Sequence, residues 1–230
     1  MIKTFLILLI FPILLFSSQQ IILVVADDFN TSKANLKFIE DAKLLYTTNV
    51  NIGINGLGWG LGEKTLTQKV GEPLKYEGDK KAPAGIFKLT NIFGYGYSKR
   101  YKLPFLHTSE RLICVDESNN NFYNQIIERN GNEKSFEFMK RLDNQYKYGV
   151  TVNHNKDAIN NRGSCIFLHI QKSVSSGTAG CTSMKEEDLL KIIQLLDKKK
   201  HPILIQIPQR SIVDIIHLYP ELKNLLETHN

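Results

Sequence analysis

Short β-rich segments separated by turn residues make up most of this chain, and they restrict it to a mostly-β fold. Gln20 to Asp27 is rich in Ile and Val and closes on Asp27-Asp28. Lys43 to Thr48 and Val50 to Ile54 are further short extended pieces, followed by the turn Asn55-Gly56-Leu57-Gly58. The segment from Gly78 to Leu89 reads as a polar loop entering a strand: Ala82 precedes Pro83 and is held extended, and Gly85 frees the backbone at the entry. Arg111 to Val115, Lys147 to Val152 and Pro202 to Pro208 are additional strands, and Phe122 to Glu128 is compatible with either helix or strand. Apolar residues at 136, 138, 139 and 142 predict a short helix over Ser135 to Leu142. The clearest helical stripe is Leu189, Ile192, Ile193 and Leu196, preceded by a Ser183/Glu186 pair at capping-box spacing or by a start nearer Lys185. No repeat and no long linker divides the chain. The reading is one domain over 20–208, with 209–230 a helical extension interrupted at Pro220.

The first nineteen residues stand apart. Met1-Ile2-Lys3 is a short positive start, Phe5 to Phe16 is an unbroken apolar run, and Ser17-Ser18-Gln19-Gln20 ends it. A membrane span needs ~20 apolar residues and a signal-peptide core ~7–15, so 1–19 is expected to be a signal peptide. The alternative is an uncleaved anchor, because apolar character resumes at Ile21; it would be the chain's one membrane contact. Either form puts the remainder outside the cytoplasm, in the periplasm or cell envelope. The net charge of +6 becomes +5 without Lys3 and suits an anionic environment. The lysines are scattered, and the Lys198-Lys199-Lys200 run follows a helix whose dipole it complements, so nucleic acid is not expected as a partner. Glycines at 58, 60 and 62 lack the spacing of a phosphate loop.

Three cysteines in an exported chain leave at least one unpaired. Cys114 and Cys165 are either disulfide partners or small buried hydrophobes, and burial is the favoured expectation. Cys181 is then free. If Cys165 to His169 is a strand, Cys165 lies ~13 Å from His169 and is excluded as its partner thiol. Cys181 lies 181 − 169 = 12 positions beyond His169, past a Ser/Gly-rich segment long enough to double back. A thiolate is the reactive form of cysteine, a nearby imidazole is the usual means of generating it, and a helix start a few residues on adds a modest bias toward it. The amides of Gly180 and Cys181 are candidate oxyanion donors. His154 has no second ligand at metal-site spacing and is read as a loop histidine; no metal and no cofactor is expected.

The segments NGLGWG (55–60), EGDKKAPAGIFKL (77–89), CVDES (114–118), GSCIFLH (163–169) and TAGC (178–181) together resemble the YkuD-type L,D-transpeptidases, over about Gln20 to Pro208 and closest to a TAGC subgroup. The resemblance implies a β-sandwich-like catalytic domain, Cys181 as nucleophile and His169 as its base. It also implies that the Ile170 carbonyl orients the imidazole. Three departures accompany it: Ala179 stands where many members have a second histidine, Ser183 where many have an arginine, and the connection from His169 to Thr178 is short. Thr178, Arg162, Gly163 and Ser183 are the candidate substrate contacts; Arg162 is either a substitute for the missing arginine as a carboxylate receptor or, the favoured reading, a surface arginine.

The partner implied is the peptidoglycan stem peptide. Cys181 would attack the carbonyl before the terminal D-amino acid of a tetrapeptide stem, and the thioester would pass to an amine, giving transpeptidation, or to water, giving L,D-carboxypeptidase activity. A non-catalytic cell-wall-binding module is the alternative outside enzymology. Because residues 170–177 form little of a lid, hydrolysis is expected to compete with transfer. Oligomeric state is left open.

Overall fold

A computed structural model describes residues 18–64, 66–96 and 100–227. The predicted leader thus lies almost wholly outside the described residues. Strand β1 (Gln20–Ala26) and strand β13 (Ile203–Pro208) run parallel at the centre of the sheet and are buried along nearly their whole lengths. Strands covered on both faces read as continuous apolar runs, which is why both were legible. On the other side of β1 lies β2 (Lys33–Glu40), which turns into β3 (Lys43–Asn51). The two-residue turn Asp41-Ala42 has positive φ at both positions, 49° and 59°, the hairpin geometry that matches strand twist. β2 is absent from the strands expected from sequence, and β3 runs unbroken through Asn49, where two pieces are expected. Yet β2 alternates, with Ala34, Leu36 and Phe38 inward and Lys33 and Asn35 outward.

The remaining strands close the sheet on itself. They are β4 (Leu57–Trp59), β5 (Ala82–Gly94), β6 (Phe105–His107), β10 (Tyr148–Val152), β11 (Phe167–Ile170) and β12 (Thr182–Met184). The order β10-β11-β12-β3-β2-β1-β13-β5 is completed by β5 pairing back to β10. The result is a ring of strands with β4 and β6 attached along β5. Its filling is aliphatic and aromatic: Ile22, Leu36, Phe38, Phe87, Ile92, Val150, Leu168 and Leu204 are fully enclosed. Helix α1 (Glu186–Leu195) covers this core with Leu189, Ile192 and Ile193, joined by Leu196 just beyond its end. Its N-cap position is Lys185, and Ser183 sits in β12, so the capping-box alternative is not formed. Three acidic residues in the first turn, Glu186, Glu187 and Asp188, complement the dipole instead. Helices α2 (Ile212–Leu218) and α3 (Lys223–Glu227) flank Pro220, and Ile215, Tyr219, Leu222 and Leu226 bury into the same core.

A small three-stranded sheet, β8-β7-β9, sits beside the ring, made of β7 (Leu112–Val115), β8 (Ile126–Glu128) and β9 (Phe136–Phe138). The helix expected over Ser135 to Leu142 is therefore replaced by strand β9 and turns. Pairing with β7 outweighs the helical spacing, and Leu142, counted there as apolar face, is fully exposed. Cys114 on β7 is disulfide-bonded to Cys165, which corrects the favoured reading of two unpaired buried thiols: both are buried, and they are also paired. Cys165 has φ 54° and precedes β11, so the strand expected from residue 165 starts at Phe167.

The disulfide closes a loop of sequence separation 51 and ties the small sheet to the chain entering β11. Cys165→Ser is expected to lower the unfolding free energy by about 2–4 kcal/mol in denaturant titrations, the usual worth of such a cross-link. A loss under about 0.5 kcal/mol would show that packing alone holds the small sheet in place.

Candidate active site

Strands β11 and β12 run parallel, with Leu168 opposite Thr182, His169 opposite Ser183 and Ile170 opposite Met184. Neighbours across a ladder share a face, so His169 and Ser183 project together. One step earlier in the same register stand Phe167 and Cys181, and the Phe167 N–H donates to the Cys181 Sγ at 3.3 Å. The chain reaches Cys181 through a tight turn at Gly180, where φ is +151° and a Cβ would meet the Lys81 carbonyl oxygen at 3.1 Å. Thr178 fixes that turn. Its hydroxyl donates to the Cys181 carbonyl at 2.6 Å and accepts the Gly180 N–H at 3.1 Å, while its own backbone bonds to Ile52 and Ile54. The Gly180 amide is thus occupied by Thr178, which leaves the Cys181 amide as the better backbone candidate for an oxyanion.

The His169 ring is buried, with Nδ1 2.8 Å from the Ile170 carbonyl oxygen. A carbonyl accepts only, so Nδ1 carries the proton and Nε2 is the free base. Burial holds the imidazole pKa down to about 4. The Cys181 side chain is pushed up to about 12, first by burial and then by the negative field of Glu137, against smaller opposing hydrogen bonds from Phe167 and Tyr146. Both groups are therefore neutral at rest. The expected helix bias toward thiolate is overridden, because α1 begins several residues away with acidic residues in its first turn, while the thiol itself is enclosed.

Cys181 and His169 open on one cavity of about 180 Å³, walled on one side by Ser176 to Ala179 and on the other by Glu137, Arg141, Gln145 and Tyr146. This second wall was missed in the sequence, since Glu137 lies on the strand read as helix. It lines the cavity together with residues of the short 170–177 connection. The Tyr146 hydroxyl donates to Glu137 Oε2 at 2.5 Å, and the Tyr146 ring packs edge-on to His169 at 5.3 Å. Arg141 lies over the Tyr146 ring at 5.2 Å and forms a two-point ion pair with Asp143, whose carboxyl it holds well below the usual range. A larger cavity of about 970 Å³ over β1 to β3 contains neither Cys181 nor His169, so size does not mark the site.

Arg162 and Gly163 do not line the small cavity. The Arg162 side chain donates to the Lys75 carbonyl, and its own carbonyl accepts from His154; the Gly163 carbonyl accepts from Asn155. These two residues build a corner; the cations lining the small cavity are Arg141 and Lys172, and Lys75, outside that lining, is the cation whose field acts on the Cys181 thiol. His154 is a buried strut rather than an open loop residue: Nδ1 accepts the Leu61 N–H, Nε2 bonds to Arg162, and burial lowers its pKa to about 4. Among the described residues no group of His, Cys, Asp and Glu is arranged to hold a metal.

A β-ring presenting a histidine on one strand and a cysteine at the entry to its parallel neighbour makes a candidate cysteine acyltransferase site. The family model of the L,D-transpeptidase catalytic domain (YkuD) matches residues 24–205, and the chain belongs to that family. Neither the curated proteins nor the solved structures give a match.

Two pH dependences follow from the neutral pair. Alkylation of Cys181 by iodoacetamide should be slow at neutral pH and keep climbing into the alkaline range, because the thiol pKa is raised to about 12. If His169 serves as base it must be unprotonated, so acylation of Cys181 should stay flat as pH falls and drop only on approaching the His169 value of about 4. Fast alkylation with a plateau near neutrality would instead indicate a thiolate–imidazolium pair.

Proposed function

We propose that the protein is an exported L,D-transpeptidase that acts on tetrapeptide stems through a thioester on Cys181. The observation that carries this reading is the β11–β12 register, which sets a buried neutral imidazole with a free Nε2 and a buried thiol on one cavity. Family membership supplies the substrate class, the peptidoglycan stem. In this reading the carbonyl before the terminal D-amino acid enters the cavity, and His169 Nε2 takes the thiol proton as sulfur attacks. A neutral pair requires that transfer to accompany attack, which is general-base catalysis. The Cys181 amide meets the developing oxyanion. The imidazolium then returns the proton to the departing D-alanine nitrogen, leaving the thioester.

An amine or water completes the cycle, giving transpeptidation or L,D-carboxypeptidase activity. Export by way of the 1–19 segment agrees with the Cys114–Cys165 disulfide, since such bonds persist in oxidising compartments. No helix among the described residues is long and apolar enough to cross a membrane.

The test is to incubate the protein with purified peptidoglycan, digest it and identify the muropeptides by mass. Tetrapeptide should be consumed with release of D-alanine, and Cys181→Ala should leave it untouched. His169→Ala should fold and lose roughly 10²–10⁴-fold in rate, the worth of a positioned acid–base group. Unchanged muropeptides with the wild type, together with retention on the cell wall, would favour a binding module.

A further inference from the structure

We infer that Glu137 is the acceptor residue of this site: it binds the incoming amine as its ammonium ion and takes the first of that amine's two protons. The inference rests on the transpeptidase reading above and concerns its second half.

Glu137 stands on β9, in the small sheet tied down by the disulfide, and lines the same cavity as Cys181 and His169. Its charge is felt at the thiol, where it is the second cause of the raised pKa. Its hydrogen-bonding partner is the Tyr146 hydroxyl, a neutral donor. It forms no ion pair among the described residues, and the nearest cation of the wall, Arg141, is engaged by Asp143 at two points. A carboxylate so placed has a cation still to find. Burial raises its pKa, which makes it a stronger base than an exposed glutamate.

The chemistry of the second half-reaction needs such a group. A primary amine near neutral pH arrives as R–NH₃⁺ and must lose one proton before its lone pair can attack. It loses a second when the amide forms. His169, having returned its first proton to D-alanine, can accept one. In the step proposed, the Glu137 carboxylate takes a proton from R–NH₃⁺, and the neutral nitrogen attacks the thioester carbonyl. The C–N bond forms, His169 Nε2 takes the second proton, and the C–S bond breaks. That proton passes to the leaving sulfur, restoring the Cys181 thiol, and protonated Glu137 discharges to solvent. Water as acceptor has only one proton to lose in the attack and needs His169 alone. Glu137 therefore separates the two fates of the thioester, favouring an ammonium over water.

The experiment uses Glu137→Gln, which keeps the shape and an acceptor oxygen for Tyr146. Wild type and variant are supplied with a tetrapeptide-stem muropeptide, and D-alanine release, tripeptide and amide product are measured with ethylamine or hydroxylamine as acceptor. Ethylamine is protonated near neutral pH and hydroxylamine is not. Measured against each protein's own D-alanine release, transfer to ethylamine should fall roughly 10²-fold in the variant, while the shares passing to water and to hydroxylamine hold. Equal loss of D-alanine release and of transfer to both amines would overturn the assignment and make Glu137 a support for Tyr146. Unchanged transfer to ethylamine would also overturn it. Failure of the wild type to release D-alanine would instead remove the transpeptidase reading and this inference with it.

Discussion

The parallel pairing of β11 with β12 is the constraint on which the site depends. Parallel neighbours ordinarily need a crossover of a dozen or more residues, commonly a helix. Here the connection runs from residue 171 to 181, eleven residues by 181 − 170, and ends on the proposed nucleophile itself. The ladder fixes His169 beside Ser183, and the chain enters it with Cys181 beside the Phe167 amide. Thr178 holds the final turn by bonding backbone on both sides of it. Reaching that register at all requires β12 to pair with β3, and β10 to close the ring onto β5. Barrel closure, rather than any local motif, places the cysteine.

Burial then decides the electrostatics. A thiol in a low-dielectric enclosure is disfavoured as an anion, and an imidazole there is disfavoured as a cation. The two effects push the pKa values apart, to about 12 and about 4, and leave both groups neutral on one cavity, with the thiol donating to the Cys165 carbonyl at 3.5 Å. A neutral, enclosed thiol is slower toward small electrophiles and oxidants than an accessible thiolate. The Cys114–Cys165 bond packs in the same apolar cluster as Cys181, beside Phe93, Met139, Tyr146 and Phe167. One disulfide thus anchors both the enclosure of the thiol and the strand that brings Glu137 to it.

Legibility followed the physics of each element. β1, β13 and α1 carry their own signal, because continuous Ile/Val runs and a 3.6-residue stripe survive without tertiary context. β2 carries a signal too, in the alternation Ala34, Leu36, Phe38, interrupted by Lys33 and Asn35 strongly enough to hide it. β9 carries the wrong one. Three residues paired to β7 have no period of their own, and Phe136, Phe138, Met139 and Leu142 happen to match a helix. The cysteine and histidine are a weak signal by themselves, one pair among three cysteines and six histidines, and it is the family resemblance of the surrounding segments that singles them out. Glu137, Tyr146 and Arg141 were not, because nothing in their spacing relates them to residue 181; the fold brings them there. Arg162, chosen for its charge and its position near the signature, is committed to the Lys75 carbonyl and the Tyr76 ring.

The proposal that Cys181 carries the acyl group is tested most directly by stopping the reaction in acid. The protein is mixed with a tetrapeptide-stem muropeptide without acceptor, quenched within its first turnover, and mapped by mass after proteolysis. The account predicts an adduct of the substrate less D-alanine, confined to the peptide containing Cys181 and labile to hydroxylamine as a thioester is. D-alanine released with the acyl group on another residue, or at the wild-type rate by Cys181→Ala, would contradict it.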